Sequence, residues 1–374
     1  MNNLYNIDWD YKKHRFHQWW HQENSDGPLL IIQAPLSSHA KDFENDKWVG
    51  SSSGNYSVTK QEYINETTDF TDYWTNFDQI IARNEKAFQN QYYIGDTYPR
   101  MFANLGVASL AVFLGCNPIF AKDTIWYQHI FDDPECCTIS LPENNPWLDW
   151  SLKTTQKSLQ YAQGRFKVGI PDLCEHLDVL ASLFDTQNLL INMFDCEDDI
   201  IRLSKEVQEC WFKVYDMHYK LVKEADGFCN YGPFQLLGAG RTAKLQCDMS
   251  AMIGRDMFDT FVLPFLQEQT EWLDNSLYHL DGPDALKHLD SILSLKELSA
   301  LQWTPGAGNC DGGDEQWDFI YEKALNAGKS VYALVSAKNI RRFKNKFGSR
   351  GILMMTSAAN KAEADEIINI VTNS

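Results

Sequence analysis

Long apolar runs are missing from this 374-residue chain, and a membrane-spanning helix needs about 20 such residues in succession. No charged-then-apolar leader occupies Met1 to Trp20 either. Paired cysteine motifs are also lacking: the nine cysteines are odd in number, contain no Cys-x-x-Cys and lie apart except for Cys136-Cys137. That pattern suits reduced thiols, most of them packed as small hydrophobes, in a cytoplasmic protein. Positive charge is scarce, with 33 Lys and Arg against 51 Asp and Glu and a formal net charge of -18. Such a field repels phosphate backbones and anionic headgroups, so neither nucleic acid nor a membrane surface is an expected partner.

Several motifs that carry chemistry are absent as well. There is no Gly-x-Ser-x-Gly elbow, no His-Glu-x-x-His and no glycine-rich phosphate fingerprint. Gly306-Ala307-Gly308 with Gly312-Gly313 lacks the Lys-Ser/Thr of a nucleotide loop. Serine-hydrolase, zincin and phosphate-loop chemistries lose their usual support.

What is present is a run of short apolar segments, each followed by a turn and helical periodicity. They are 29–34, 91–94, 166–170, 227–231, 276–280, 300–303, 330–335 and 351–356. Between them, Ile200, Leu203, Val207, Trp211, Val214, His218 and Leu221 recur at helical spacing within about 197–225. Phe258, Phe261, Val262, Phe265 and Leu266 do the same, with Pro264 expected to break that helix. Eight strands alternating with helices, each strand apolar on both faces, predict a (β/α)8 TIM barrel in one domain, 1–374. The intervals 36–90 and 97–165 exceed simple crossovers and are expected to be lid insertions over the mouth, with Gly50 to Asn55 a mobile loop.

In such a barrel the C-terminal strand ends carry the chemistry. They offer Asp96, Tyr98, Asp172, Tyr231, Gln235, His279, Asp281, Gln302, Trp303, Ser336 and Thr356. In Tyr278-His279-Leu280-Asp281-Gly282, strand periodicity places His279 and Asp281 on one face, roughly 7 Å apart along the chain. An imidazole beside a carboxylate can bind a metal or share a proton. Asp248 and Asp172 are the further catalytic candidates, each with helix capping as its competing role. Gln302 and Trp303, before the glycine-rich 304–308, suit the wall and floor of a pocket for a ring-shaped ligand, joined by Tyr98, Tyr278 and Gln235. Arg241 has the fork geometry to clamp a carboxylate. His288, in a helical stretch, reads as packing or surface.

These segments together resemble the uroporphyrinogen decarboxylase-like superfamily, which also holds corrinoid-dependent methyltransferases. The resemblance rests on 257–266 (Met-Phe-Asp-Thr-Phe-Val-Leu-Pro-Phe-Leu), on 278–282 and on Leu301-Gln302-Trp303-Thr304-Pro305-Gly306-Ala307-Gly308, with weaker similarity along nearly the whole chain. It implies a (β/α)-barrel with its pocket at the C-terminal strand ends. Zinc-dependent methyltransferases of the superfamily carry His-x-Cys here and a second cysteine near the last strand. This chain has His279 and Asp281, and 355–360 contains no cysteine. The decarboxylase has an arginine-rich segment after its first strand, where this chain reads Gln33-Ala34-Pro35-Leu36-Ser37-Ser38.

The resemblance therefore implies a small-molecule enzyme, with carboxy-lyase chemistry placed first and acid/base work on His279 and Asp281. Corrinoid- or folate-linked methyl transfer, bringing a corrinoid protein as partner, is the alternative. A non-catalytic binder of sugar-like or ring-shaped ligands is the third. A divalent metal, zinc, at His279 and Asp281 belongs to the metal version of the enzyme. A homodimer is left open.

Overall fold

The structure is a computed structural model that describes residues 5–36, 47–48, 57–58 and 69–372. Gly50 to Asn55 lies outside the described residues, as does much of the interval 36–90.

Ten of the fourteen strands among the described residues build the two main sheets: β1 (Leu29–Gln33), β2 (Arg100–Phe102), β3 (Lys167–Ile170), β4 (Phe228–Tyr231), β5 (Leu236–Ala239), β6 (Thr242–Gln246), β7 (Asn275–Asp281), β8 (Ala300–Thr304), β9 (Ser330–Leu334) and β10 (Ile352–Ser357). Six of them form one sheet in the order β1-β10-β9-β8-β7-β6, every neighbouring pair parallel. A second sheet runs β2-β3-β4-β5, parallel except for the β4-β5 hairpin. Strands buried on both faces explain the continuous apolar runs, and one contiguous core extends from Ile7 to Val371.

Seven of the eight apolar runs seat strands close to their expected places, but 91–94 does not. That segment makes only isolated antiparallel bridges, Pro35 with Gln91 and Ile31 with Gly95. Side chains replace the ladder beside it: Leu30 N–H donates to Asp96 Oδ2 at 2.8 Å and Ile32 N–H to Thr97 Oγ1 at 2.8 Å. The strand forms later, at β2. Besides β2, two further strands of these sheets were not visible as apolar runs, namely β5 and the buried β6, whose Lys244 and Gln246 disguise it.

The helices pack outside the strands on their apolar faces. The longest, Glu197–Val222, starts with Glu197, Asp198 and Asp199 and carries Lys220 in its last turn, which matches both ends of its dipole. Pro264 separates Arg255–Phe261 from Leu263–Trp272, as a proline without an N–H must. Helix α1 (Trp9–Trp20) packs under the sheets. Its Trp19 donates to Val331 and Gly351 carbonyls at 3.2 Å each, and Trp20 to Leu237 O at 3.0 Å. One helix thus ties together the N-terminal ends of β9 and β10 and the second sheet. Among the described residues no helix is long and apolar enough to cross a membrane. All nine cysteines are unpaired; five are buried, and Cys136 and Cys310 are exposed.

Candidate active site

Parallel register decides which side chains meet. Gln246 lies opposite His279, and His279 opposite Gln302, so the C-terminal ends of β6, β7 and β8 present one row of polar groups. Period-two alternation sends Lys244, Gln246, His279, Asp281, Gln302 and Thr304 to one side and Leu245, Tyr278, Leu280 and Trp303 to the other. Beyond β6 the chain turns into a short 3-10 helix, Asp248–Met252. Asp248, His279 and Asp281 then each offer a ligand atom, all within 4.8 Å of one another.

Gln302 orients the imidazole. Its Nε2 donates to Thr304 Oγ1 at 2.7 Å, which leaves Oε1 to accept from His279 Nδ1. The proton therefore sits on Nδ1 and the Nε2 lone pair is free. Burial lowers the His279 pKa, and the Lys244 ammonium reinforces this against Gln302, Asp281 and Asp172. A neutral imidazole and two carboxylates form a hard oxygen-and-nitrogen donor set that fits a divalent cation.

Asp248 reaches solvent at the mouth, yet loss of bulk solvation in the concavity pushes its carboxyl up to about 6. Asp281 and Asp172 add to this, while Lys244 and a 3.0 Å hydrogen bond from Gln246 Nε2 oppose it. Asp178, in the first turn of His176–Phe184, sets the position of Asp248. Its carboxylate accepts from Asp248 N–H at 2.9 Å, Met249 N–H at 3.0 Å and Gln246 Nε2 at 3.1 Å. Burial, then the charge of Asp248, raises the Asp178 carboxyl to about 6 as well.

Asp172 stands apart from the triad, in a layer behind it. Its Oδ1 is 2.8 Å from Lys244 Nζ and accepts from Tyr231 at 3.1 Å, with both members of the ion pair essentially inaccessible. Lys244 also donates to Gln246 Oε1. Burial works to lower the Lys244 pKa, but Asp172, with Cys174 and Glu175, raises it overall, so the ammonium stays charged. Glu175, buried beside it, is pushed well above the usual carboxylate range by burial, although Lys244 opposes this.

The other expected pocket residues are placed as follows. Tyr98 is buried against Trp9 and Phe16, with its hydroxyl donating to Asn230 at 2.7 Å. Gln235, at φ +56°, accepts from Arg100 at 3.4 Å. Tyr278 and Trp303 point away from the triad into the core, Trp303 packing on Trp317 at 5.1 Å. Arg241 precedes β6, at the opposite end from His279. It contacts Asp216 at 3.2 Å, and its guanidinium lies 4.4 Å from the Trp272 ring centroid. His288 stacks on Phe258 at 4.3 Å. Lys244, Gln246, Glu175 and Asp178 escaped the sequence reading. The alternation Lys244-x-Gln246-x-Asp248 was the available signal, because it puts all three on the face that His279 shares.

With this geometry in hand, comparison with known proteins gives one kind of match. No family model and no curated protein sequence matches the chain. Among solved structures, the chain is similar to a methyltransferase from Methanosarcina mazei, with a TM-score of 0.56 and 10% identity over 97% of this chain and 98% of that one. At that identity the two share a fold, and nothing finer follows.

Proposed function

We propose that the chain is a single-domain (β/α)8-barrel enzyme that holds a divalent cation between Asp248, His279 and Asp281 and transfers a one-carbon group, a methyl, on a small molecule. The observation that carries it is the convergence of three ligand atoms within 4.8 Å at the C-terminal strand ends. Supporting the closed barrel are the Asp96 and Thr97 hydrogen bonds to the free edge of β1 and the α1 tryptophans that link both sheets.

A bound cation would supply Lewis acidity, lowering the pKa of a coordinated nucleophile. The chain's own groups do the rest. Gln302 keeps His279 in the tautomer that frees Nε2, Asp178 and Gln246 fix Asp248, and Lys244 with Asp172 sets the field behind them. The solved neighbour's description as a methyltransferase favours methyl transfer over the carboxy-lyase expectation, and a corrinoid protein suits the role of methyl carrier. One observation favours a second reading: the Asp248 carboxyl, raised to about 6, is poised for acid/base chemistry of lyase type.

Titration of the purified chain with Mn²⁺ or Zn²⁺ tests the cation. One equivalent should bind, raising the melting temperature, and His279→Ala should abolish that increment while leaving the metal-free fold intact. Equal binding by His279→Ala would remove the metal version of the proposal.

A further inference from the structure

Beside the triad opens a cavity of about 810 Å³ at the C-terminal ends of β1, β8, β9 and β10, and Asp281 stands in its wall. Its described lining contains no lysine, arginine or histidine. Pro305, Ala307, Leu334, Val335, Ala337 and Met355 supply alkyl surface.

The charges in that wall are Asp281 and Asp311, and both are accounted for. Asp311 accepts from Gly313 N–H at 2.9 Å, Ser336 N–H at 3.1 Å, Ser336 Oγ at 2.9 Å and Asn339 Nδ2 at 2.9 Å. Burial works to raise its carboxyl, but these bonds, with Lys338 near, hold it below the usual range. Asp281 and Asp248 together would balance one divalent cation. Thr356 also lines the cavity, and its buried hydroxyl has no hydrogen-bond partner among the described residues.

We propose that this cavity takes an uncharged small organic molecule with an alkyl portion of several carbons and a hydroxyl, thiol or amide that Thr356 can bond. The assignment rests on the proposed function above, in which the triad is the reacting end of the site. A carboxylate moved into the cavity would lose its hydration and find no lysine, arginine or histidine in the described lining to replace it, whereas an alkyl chain meets carbon walls. A tetrapyrrole bearing many carboxylates is a poor match, consistent with the missing arginines after β1.

Ligand-observed saturation-transfer NMR on the full chain, with and without added Zn²⁺, tests this with 1-pentanol, pentylammonium and glutarate. The expected result is transfer to 1-pentanol that disappears in Met355→Trp, which fills the cavity, and, without added metal, glutarate affinity at least about tenfold weaker, as desolvation of an unpaired anion demands. Ala307→Phe, on the loop, serves if Met355→Trp does not fold. Glutarate or pentylammonium binding as tightly as 1-pentanol in a Met355-sensitive manner overturns the proposal, as does 1-pentanol transfer that survives both variants. Mn²⁺ titration of the same samples separates the two ideas. Cation binding without 1-pentanol binding sinks the substrate class alone, and 1-pentanol binding without cation binding sinks the metal reading alone.

Discussion

Lys244 carries its charge at 0% side-chain exposure, a position that only a close partner makes tolerable. Asp172 is that partner, and each would be left as an uncompensated buried ion without the other. Lys244→Met should therefore destabilise the fold by about 3–5 kcal/mol, read from the denaturation midpoint. Lys244→Met with Asp172→Leu should recover most of that loss, because no charge is then stranded. A double variant as unstable as the single one would show that packing, not charge, dominates there.

The same scale governs metal binding. The Asp248 carboxyl is raised to about 6, so protons compete with a cation for it across the window from about 6 downward. Protonation is favoured below that value, and affinity for Mn²⁺ should fall as pH drops from 7.5 to 5. In Asp248→Asn this part of the pH dependence should vanish along with most of the affinity, as calorimetry at each pH will show. A pH slope unchanged in Asp248→Asn would place the titrating group elsewhere.

Among the elements, β3 and β4 depend on close backbone approach. A Cβ built on Gly169 would lie 2.5 Å from Gly232 N and 2.5 Å from Asn230 Nδ2. Gly169→Ala must push the chain after β4 aside, at a cost of about 1–3 kcal/mol for overpacking. The midpoint shift of thermal or urea unfolding measures it, and no shift would mean the loop yields freely. Most elements were legible as periodicity, since Leu29 to Ile32 and Ile352 to Met355 are apolar side chains buried in the core. Strand β6 was not, because its polar residues are paid for by partners on other elements, Asp172 and Asp178, that no local pattern reveals. The segment 91–94 failed in the opposite direction. It has strand-like residues, but Asp96 and Thr97 side chains occupy the ladder positions its backbone would need.

At the scale of the whole molecule, the seam between β1 and residues 96–97 joins the two sheets. Thr97 Oγ1 accepts from Ile32 N–H at 2.8 Å and donates to Ile32 O at 3.1 Å. Thr97→Val strands the Ile32 N–H, while Ile32 O keeps its bond from Gln91 Nε2 at 3.1 Å, a loss of about 1–3 kcal/mol. Hydrogen exchange should quicken at the Ile32 amide while Leu301, in the middle of the six-stranded sheet, keeps its protection; equal acceleration at both would argue for global rather than seam opening.

Sequence alone determined what depends on local chemistry: the parallel-strand pattern with intervening helices, the break at Pro264, and the placement of His279 and Asp281 on one strand face. Periodicity fixes those because each residue's environment is set by its immediate neighbours. Tertiary structure alone decided which distant groups complete the site. It brought Asp248 to the pair, buried Asp172 on Lys244 behind it and left beside Asp281 a cavity whose described lining has no lysine, arginine or histidine. Those outcomes depend on register between strands and on charges meeting across the fold, and neither is encoded in spacing along the chain.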